Sequence, residues 1–205
     1  MENLIGRGGF DQIYHEHLSY FSLTALKCLI ETSGLALLDA ELIPIHGESL
    51  RVYAGKAGRK ISGRAVNILQ KEKELGIDKI ETYHRFAEEV EKNKKELKRV
   101  IDDIKHAGKS IAGYGAPAKG NTLLNYCGID KAGVDYIIDT TPFKQGLFAP
   151  GSRIPIFAPD YFKKSPPDYM LLLAWNYKDA ILDKEKWFGE QGGKWIIPVP
   201  RVEIQ

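Results

Sequence analysis

The chain has 205 residues, 43% of them hydrophobic and 27% charged, which is enough for a real core in one domain or one and a half. Its 29 basic side chains nearly balance 27 acidic ones, leaving a net charge of +2 and no electrostatic case for a nucleic-acid or membrane surface. Cys28 and Cys127 stand far apart with no CxxC partner, which argues against a disulfide framework or zinc ribbon and predicts two buried free thiols in a reducing, cytoplasmic setting; no apolar stretch approaches the ~20 residues of a membrane span, and the first residues do not read as a signal peptide.

In chain order, Met1–Ile5 reads as a short helical piece, Gly6-Arg-Gly-Gly9 as a breaker, and Phe10–Tyr14 as strand-like. From Ser22 to Ser33 the pattern turns helical, with Ser22 as N-cap, Leu23, Leu26, Leu29 and Ile30 on one face and Gly34 at the C′ position. Two strands follow, Ala36–Ile45 and Ser49–Ala54, joined through His46-Gly47-Glu48 as a hairpin. In the second, Leu50, Val52 and Ala54 alternate with Arg51 and Tyr53.

Gly55–Gly63 is a flexible, basic connection. Two helices are expected beyond it, Arg64–Leu75 and a longer one from about Asp78 to His106, with Phe86, Val90, Leu97, Ile101 and Ile104 as the apolar stripe. The charged run Glu88–Arg99 is the solvated face of that helix. The remainder reads as α/β, with strands at Lys109–Tyr114, Val134–Ile138, Ile154–Phe157, Tyr169–Ala174 and Trp195–Val199 and a helix at Asn121–Tyr126. A run such as Met170-Leu-Leu-Leu-Ala174 suits a strand buried on both faces of a parallel sheet, and alternation with helical segments predicts a small Rossmann-like domain. The expected division is a tail carrying a helix and a hairpin over residues 1–55, a helical connector over 56–108 and the sheet domain over 109–205.

Tyr14-His15-Glu16-His17 is the densest cluster of chemically capable side chains. A metal could use His15 and His17, but the distant His46, His84 and His106 offer no recognisable spacing for a third ligand. A structural reading has the histidines hydrogen-bonded at a domain edge. The acid/base reading has an imidazole removing a weakly acidic proton beside a carbonyl, a carboxylate holding its tautomer and a phenol donating to the developing enolate. Adjacent Glu16 and His17 point to opposite faces of an extended chain, so these groups converge only where the backbone turns.

Gly113-Tyr-Gly-Ala-Pro-Ala-Lys-Gly-Asn121, between a strand and a helix, is a second candidate. Glycines there permit close backbone approach, the helix N-terminus offers N–H donors to an anion, and Lys119 adds a charge. The dinucleotide fingerprint is imperfect, with Ala118 at the third glycine's place, and glycines that serve only packing are the competing reading; Asp139 stands where an NAD site keeps its ribose-binding acid. The loop Asp139–Gly146, with Lys144 as its phosphate contact, and Trp175-Asn176 lie at strand ends where α/β sheets place ligands, while Trp187 and Trp195 read as packing residues.

Phe10-Asp-Gln-Ile-Tyr-His-Glu-His-Leu-Ser-Tyr-Phe-Ser22 resembles the signature of sugar C-methyltransferases. His46-Gly-Glu-Ser-Leu-Arg51, Gly113–Asn125, Lys144-Gln-Gly with its following Pro-Gly and Ile-Pro-Ile, and Ala174-Trp-Asn follow in that family's order across nearly the whole chain. The resemblance implies an S-adenosyl-L-methionine (SAM)-dependent enzyme acting on nucleotide-linked keto-deoxysugars, with His17 as base and Glu16 and Tyr14 beside it. It implies a carboxy-terminal Rossmann-like domain that encloses the sugar nucleotide rather than binding NAD, with Tyr114, Gly115, Lys119, Asn121, Lys144, Trp175 and Asn176 as substrate contacts. No metal site is implied in this stretch.

The family's zinc-binding cysteines and its SAM loop are not among these residues, and Glu48 stands where the family usually has a second glycine. Residues 1–54 correspond to the last portion of a SAM domain. The expectation is therefore that SAM is bound by a region missing from this chain, supplied by N-terminal domains or a separate subunit, and that the chain alone transfers no methyl group. A stand-alone sugar-nucleotide module and a small NAD-dependent oxidoreductase or epimerase are the other readings. Neither nucleic acid nor membrane is an expected partner.

Overall fold

The computed structural model describes residues 1–43 and 49–205. The His46-Gly47-Glu48 connection lies outside the described residues. Two compact units emerge, one of Met1–Gly6 with His17–Glu88 and one of Arg7–Glu16 with Glu89–Gln205.

The first unit holds helix α1 (Glu2–Gly6), helix α2 (Leu23–Thr32), strands β1 (Ala36–Ile43) and β2 (Ser49–Gly55), helix α3 (Gly63–Leu75) and the start of helix α4 (Ile80–His106). Ser22 caps α2 by accepting from the Ala25 N–H at 3.0 Å, and Gly34 takes the left-handed conformation that ends the helix. Leu23 and Ile30, seven residues apart on one face, reach the core, whereas Leu29 is exposed, which narrows the expected face. Cys28 lies on the outer side of α2 and is exposed, a correction to the expectation of two buried thiols; only Cys127 is buried.

β1 and β2 pair antiparallel, as their alternation predicts. A bulge between Leu37 and Asp39 lets Leu37 and Ala40 face the same core, which unbroken alternation forbids. Leu23, Leu37, Ala40, Ala65 and Ile68 form that core, with Leu50 and Val52 against it. Glu72 of α3 finishes the packing by accepting from the Leu23 N–H, the Thr24 N–H and the Thr24 hydroxyl at 2.7, 2.7 and 2.6 Å.

The second unit is α/β. Strands β3 (Ile111–Tyr114), β4 (Tyr136–Ile138), β5 (Ile156–Phe157), β6 (Tyr169–Leu172), β7 (Lys194–Ile197) and β8 (Glu203–Ile204) lie in the order β5-β4-β3-β6-β7-β8. All pair parallel except β8, which returns antiparallel along β7. Helices α5 (Ala118–Cys127), α6 (Pro159–Lys164), α7 (Lys178–Lys184) and α8 (Lys186–Glu190) connect the strands. One face of the sheet packs Tyr114, Tyr136, Met170, Leu172, Trp195 and Ile197 on Phe162 and Phe188. On the other face, side chains alternate as strand geometry requires, and a Cβ on Gly113 would meet Ile137 at 2.9 Å.

The strand-like reading of Phe10–Tyr14 is overturned: Phe10–Gln12 forms a 3-10 turn. Phe10 and Asp11, consecutive residues, are both buried, and an extended strand would send one of them outward. Among the described residues no helix is long and apolar enough to cross a membrane.

Candidate functional site

The chain order of the sheet reverses between β3 and β6, and ligands of open α/β sheets bind at the carboxyl ends of strands flanking such a reversal. A cleft of about 430 Å³ opens there, lined among others by Tyr114, Gly115, Thr140, Lys144, Tyr177 and Lys184.

Gly115 makes the turn at the base of the cleft. Its φ is +84°, and a Cβ there would stand 3.1 Å from the Cβ of Ala174. On α5, Gly120 would set a Cβ 3.0 Å from that of Leu173, so its lack of a side chain serves helix-on-sheet packing. Asp139 ties the turn together: its Oδ2 accepts the Ala116 N–H at 2.7 Å and its Oδ1 the Thr141 N–H at 2.8 Å. Burial alone would raise the Asp139 carboxyl, but the hydrogen bonds from Thr141 and Ala116 and the charge of Lys144 hold it below the ordinary carboxylate range. Both oxygens thus serve the loop, and the carboxylate is nearly buried, at 8% exposure.

Lys144 reaches the cleft and donates to the Ala116 carbonyl at 2.9 Å, with Asp139 at 3.5 Å. The Tyr114 hydroxyl is engaged beneath the cleft, donating to the buried Glu185 at 2.8 Å; burial and that carboxylate push its pKa up. Of the expected substrate contacts, then, Tyr114, Gly115 and Lys144 meet at the cleft.

Lys119, Trp175 and Asn176 meet elsewhere. The Lys119 ammonium lies 4.0 Å from the centroid of the Trp175 ring and donates to the Asn176 side-chain oxygen. Burial lowers its pKa to about 8, with Asp11 pulling the other way. The Trp175 indole N–H donates to Asp11 Oδ2 at 2.6 Å, and among the described residues Asp11 Oδ1 has no partner of full hydrogen-bond geometry, with the Asp11 and Gln12 N–H groups close enough to favour the charge. Burial raises the Asp11 carboxyl against the opposing pull of Trp175 and Lys119. Asn121 is half-buried on α5, where its carbonyl accepts from the Asn125 amide at 2.7 Å.

The tetrad lies just beyond Asp11. The backbone turns at His15-Glu16 rather than running extended. Tyr14 is half-buried, and His15, Glu16 and His17 are exposed; Tyr14 and Glu16 belong to the second unit and His17 to the first. The His17 ring meets Tyr20 edge-on at 6.2 Å.

Sequence reasoning missed Asp11, Tyr177 and Lys184. Tyr177 and Lys184 were within reach, since they follow Trp175-Asn176 at the same strand end. Asp11 gave no local signal, because only its distant partners reveal it.

The profile of the C-methyltransferase C-terminal domain matches residues 44–200. The chain belongs to the C-methyltransferase family. It is 40% identical to the C-methyltransferase NovU of Streptomyces niveus over 203 residues, covering 98% of this chain and 48% of that protein. The chain therefore spans about half the length of this curated family member.

Proposed function

We propose that this chain forms the carboxy-terminal part of a SAM-dependent C-methyltransferase acting on a nucleotide-linked keto-deoxysugar, and that its sheet domain, read as Rossmann-like, holds the sugar nucleotide. The observation that carries the reading is the cleft at the strand-order reversal, where Lys144 and Lys184 offer cations to a diphosphate and Thr140 and Tyr177 offer hydroxyls. The engaged Asp139 weighs against NAD in the same place.

In this reading neutral His17 accepts the proton from the carbon beside the ketone and becomes an imidazolium. Glu16 orients and then stabilises that ring, and the Tyr14 hydroxyl donates to the enolate oxygen. The resulting carbanion is the nucleophile that C-methylation needs. SAM is held by residues other than those of the glycine-rich loop, in N-terminal domains or a separate subunit, and the cytoplasm is the proposed location.

Titration calorimetry with dTDP and with NADH tests this reading. The expected result is saturable dTDP binding that Lys144→Ala weakens about tenfold, the loss of one charge-assisted contact. Tight NADH binding with no dTDP binding would overturn it in favour of an oxidoreductase.

A further inference from the structure

The segment that leads into the tetrad is gripped at three successive points of the second unit. Gly8, at a φ of +62° that favours glycine, lies against Pro200, where a Cβ would make an ordinary contact at 3.5 Å with the carbonyl oxygen. Phe10 packs its ring 5.1 Å from that of Tyr126. Asp11, fully buried, accepts the Trp175 indole N–H at 2.6 Å. The turn closes with the Ile13 N–H on the Phe10 carbonyl at 2.9 Å and the Tyr14 N–H on the Gln12 carbonyl at 3.2 Å. Directly afterwards the chain is exposed, from His15 to Ser19.

Packing alone does not account for an acid at this place. A buried carboxylate with one oxygen lacking a partner is costly, and an apolar residue of similar volume would fill the space at less cost. What a carboxylate adds is direction, because the short bond to a fixed indole sets where the turn sits. Trp175 itself opens the 3-10 turn Trp175–Tyr177 directly after β6, and Tyr177 lines the cleft. One loop therefore carries both the anchor of the tetrad segment and part of the proposed sugar-nucleotide site. Lys119, stacked on the same indole and bound to Asn176, supplies the positive charge that a buried carboxylate requires nearby.

We propose that Asp11 is the positioning residue for Tyr14 and Glu16: its bond to Trp175 fixes the segment that bears them relative to the cleft. Lys119 serves this anchor and does not bind the substrate phosphate. The assignment rests on the reading of Tyr14 and Glu16 as active groups, and the two arms of the test fail separately.

In the first arm, amide hydrogen exchange is followed in this chain for wild type, Asp11→Asn and Trp175→Phe. Asp11→Asn keeps the shape and an acceptor oxygen but removes the charge that strengthens the bond, and Trp175→Phe removes the donor together with part of the ring face under Lys119. The expected result is exchange at least about tenfold faster at residues 12–16, with the β3 and β6 amides unchanged and dTDP affinity within about twofold, as local opening without global unfolding requires. Unchanged exchange at 12–16, or faster exchange throughout the second unit, would overturn the assignment. In the second arm, the assembled methyltransferase carrying Asp11→Asn shows kcat lowered about tenfold with KM for the sugar nucleotide within about twofold. An unchanged kcat, or a rise in KM alone, counts against positioning. If the assembled wild-type enzyme methylates no nucleotide-linked keto sugar, the functional reading falls, while the exchange arm still decides the anchor.

Discussion

Glu72 and Asp11 are carboxylates almost wholly withdrawn from water, at 2% and 0% exposure, and each lies in a different compact unit. Glu72 accepts three hydrogen bonds from the first residues of α2, so it behaves as a cap delivered from another helix. Asp11 accepts the indole N–H, while its other oxygen has no partner of full hydrogen-bond geometry among the described residues and only the nearby Asp11 and Gln12 N–H groups favour its charge. A saturated buried acid is explained by the helix end it completes. An under-satisfied one, beside a desolvated lysine, marks a place where stability has been set against another requirement, and such groups cluster at functional sites.

The largest expected effect breaks the Glu72 side of this contrast. Glu72→Ala leaves the buried Leu23 N–H and the part-buried Thr24 N–H of α2 unpaired and should destabilise the first unit by about 2–3 kcal/mol, read by urea denaturation followed at far-UV circular dichroism. If the loss were below ~1 kcal/mol, Glu72 would not be the structural acid described here. Gly115→Ala comes next: with φ at +84° and Ala174 3.1 Å from the new Cβ, it should cost ~1–2 kcal/mol and weaken dTDP binding in a calorimetric titration.

Asp11→Asn should change global stability by no more than about 1 kcal/mol, because the substitution keeps an acceptor oxygen and removes the burial penalty of the charge along with the charge-assisted part of the bond. Its pH signature is sharper. The folded-state pKa of Asp11 is raised, so its favourable contribution is complete below the ordinary 3.8 and is lost as pH rises through the folded value; Asp11→Asn removes that decline. Asp168 has the opposite sign and the smallest effect. The Ser110 N–H, with Lys109 and the Ser110 hydroxyl, draws its pKa down to about 2, so its contribution is present above 3.8 and fades as pH falls towards 2. Acid titration of Asp168→Asn should show a shallower loss below pH 4 than wild type, and a small one, since the pair is largely exposed.

The sheet was largely legible from the sequence because Met170–Leu173 and Ile137–Ile138 are buried on both faces, which leaves continuous apolar runs. The two-residue strand Glu203–Ile204 has an exposed, partly polar pattern and left no such trace. In the Phe10–Tyr14 segment the usual rule is inverted: Asp11 is buried while Ile13 is half exposed, because Trp175 and Lys119 claim the carboxylate. No window of local sequence carries that information. The glycine-rich loop was recognisable, but whether Asp139 was free or engaged depended on where the Ala116 and Thr141 N–H groups point, which only the folded loop defines.

Asp11 and Trp175 are 164 positions apart, yet they meet within one compact unit. Translation at 5–20 residues per second would deliver Trp175 roughly 8–30 s after Asp11. Throughout that interval the Asp11 carboxylate lacks its indole partner, while the intervening hairpin and helices of the first unit can already fold. The tetrad segment is thus among the last parts of the chain to find its seat on the ribosome. A nascent chain arrested before Trp175 would carry this acid without the donor that seats it, even with Phe10 already able to meet Tyr126.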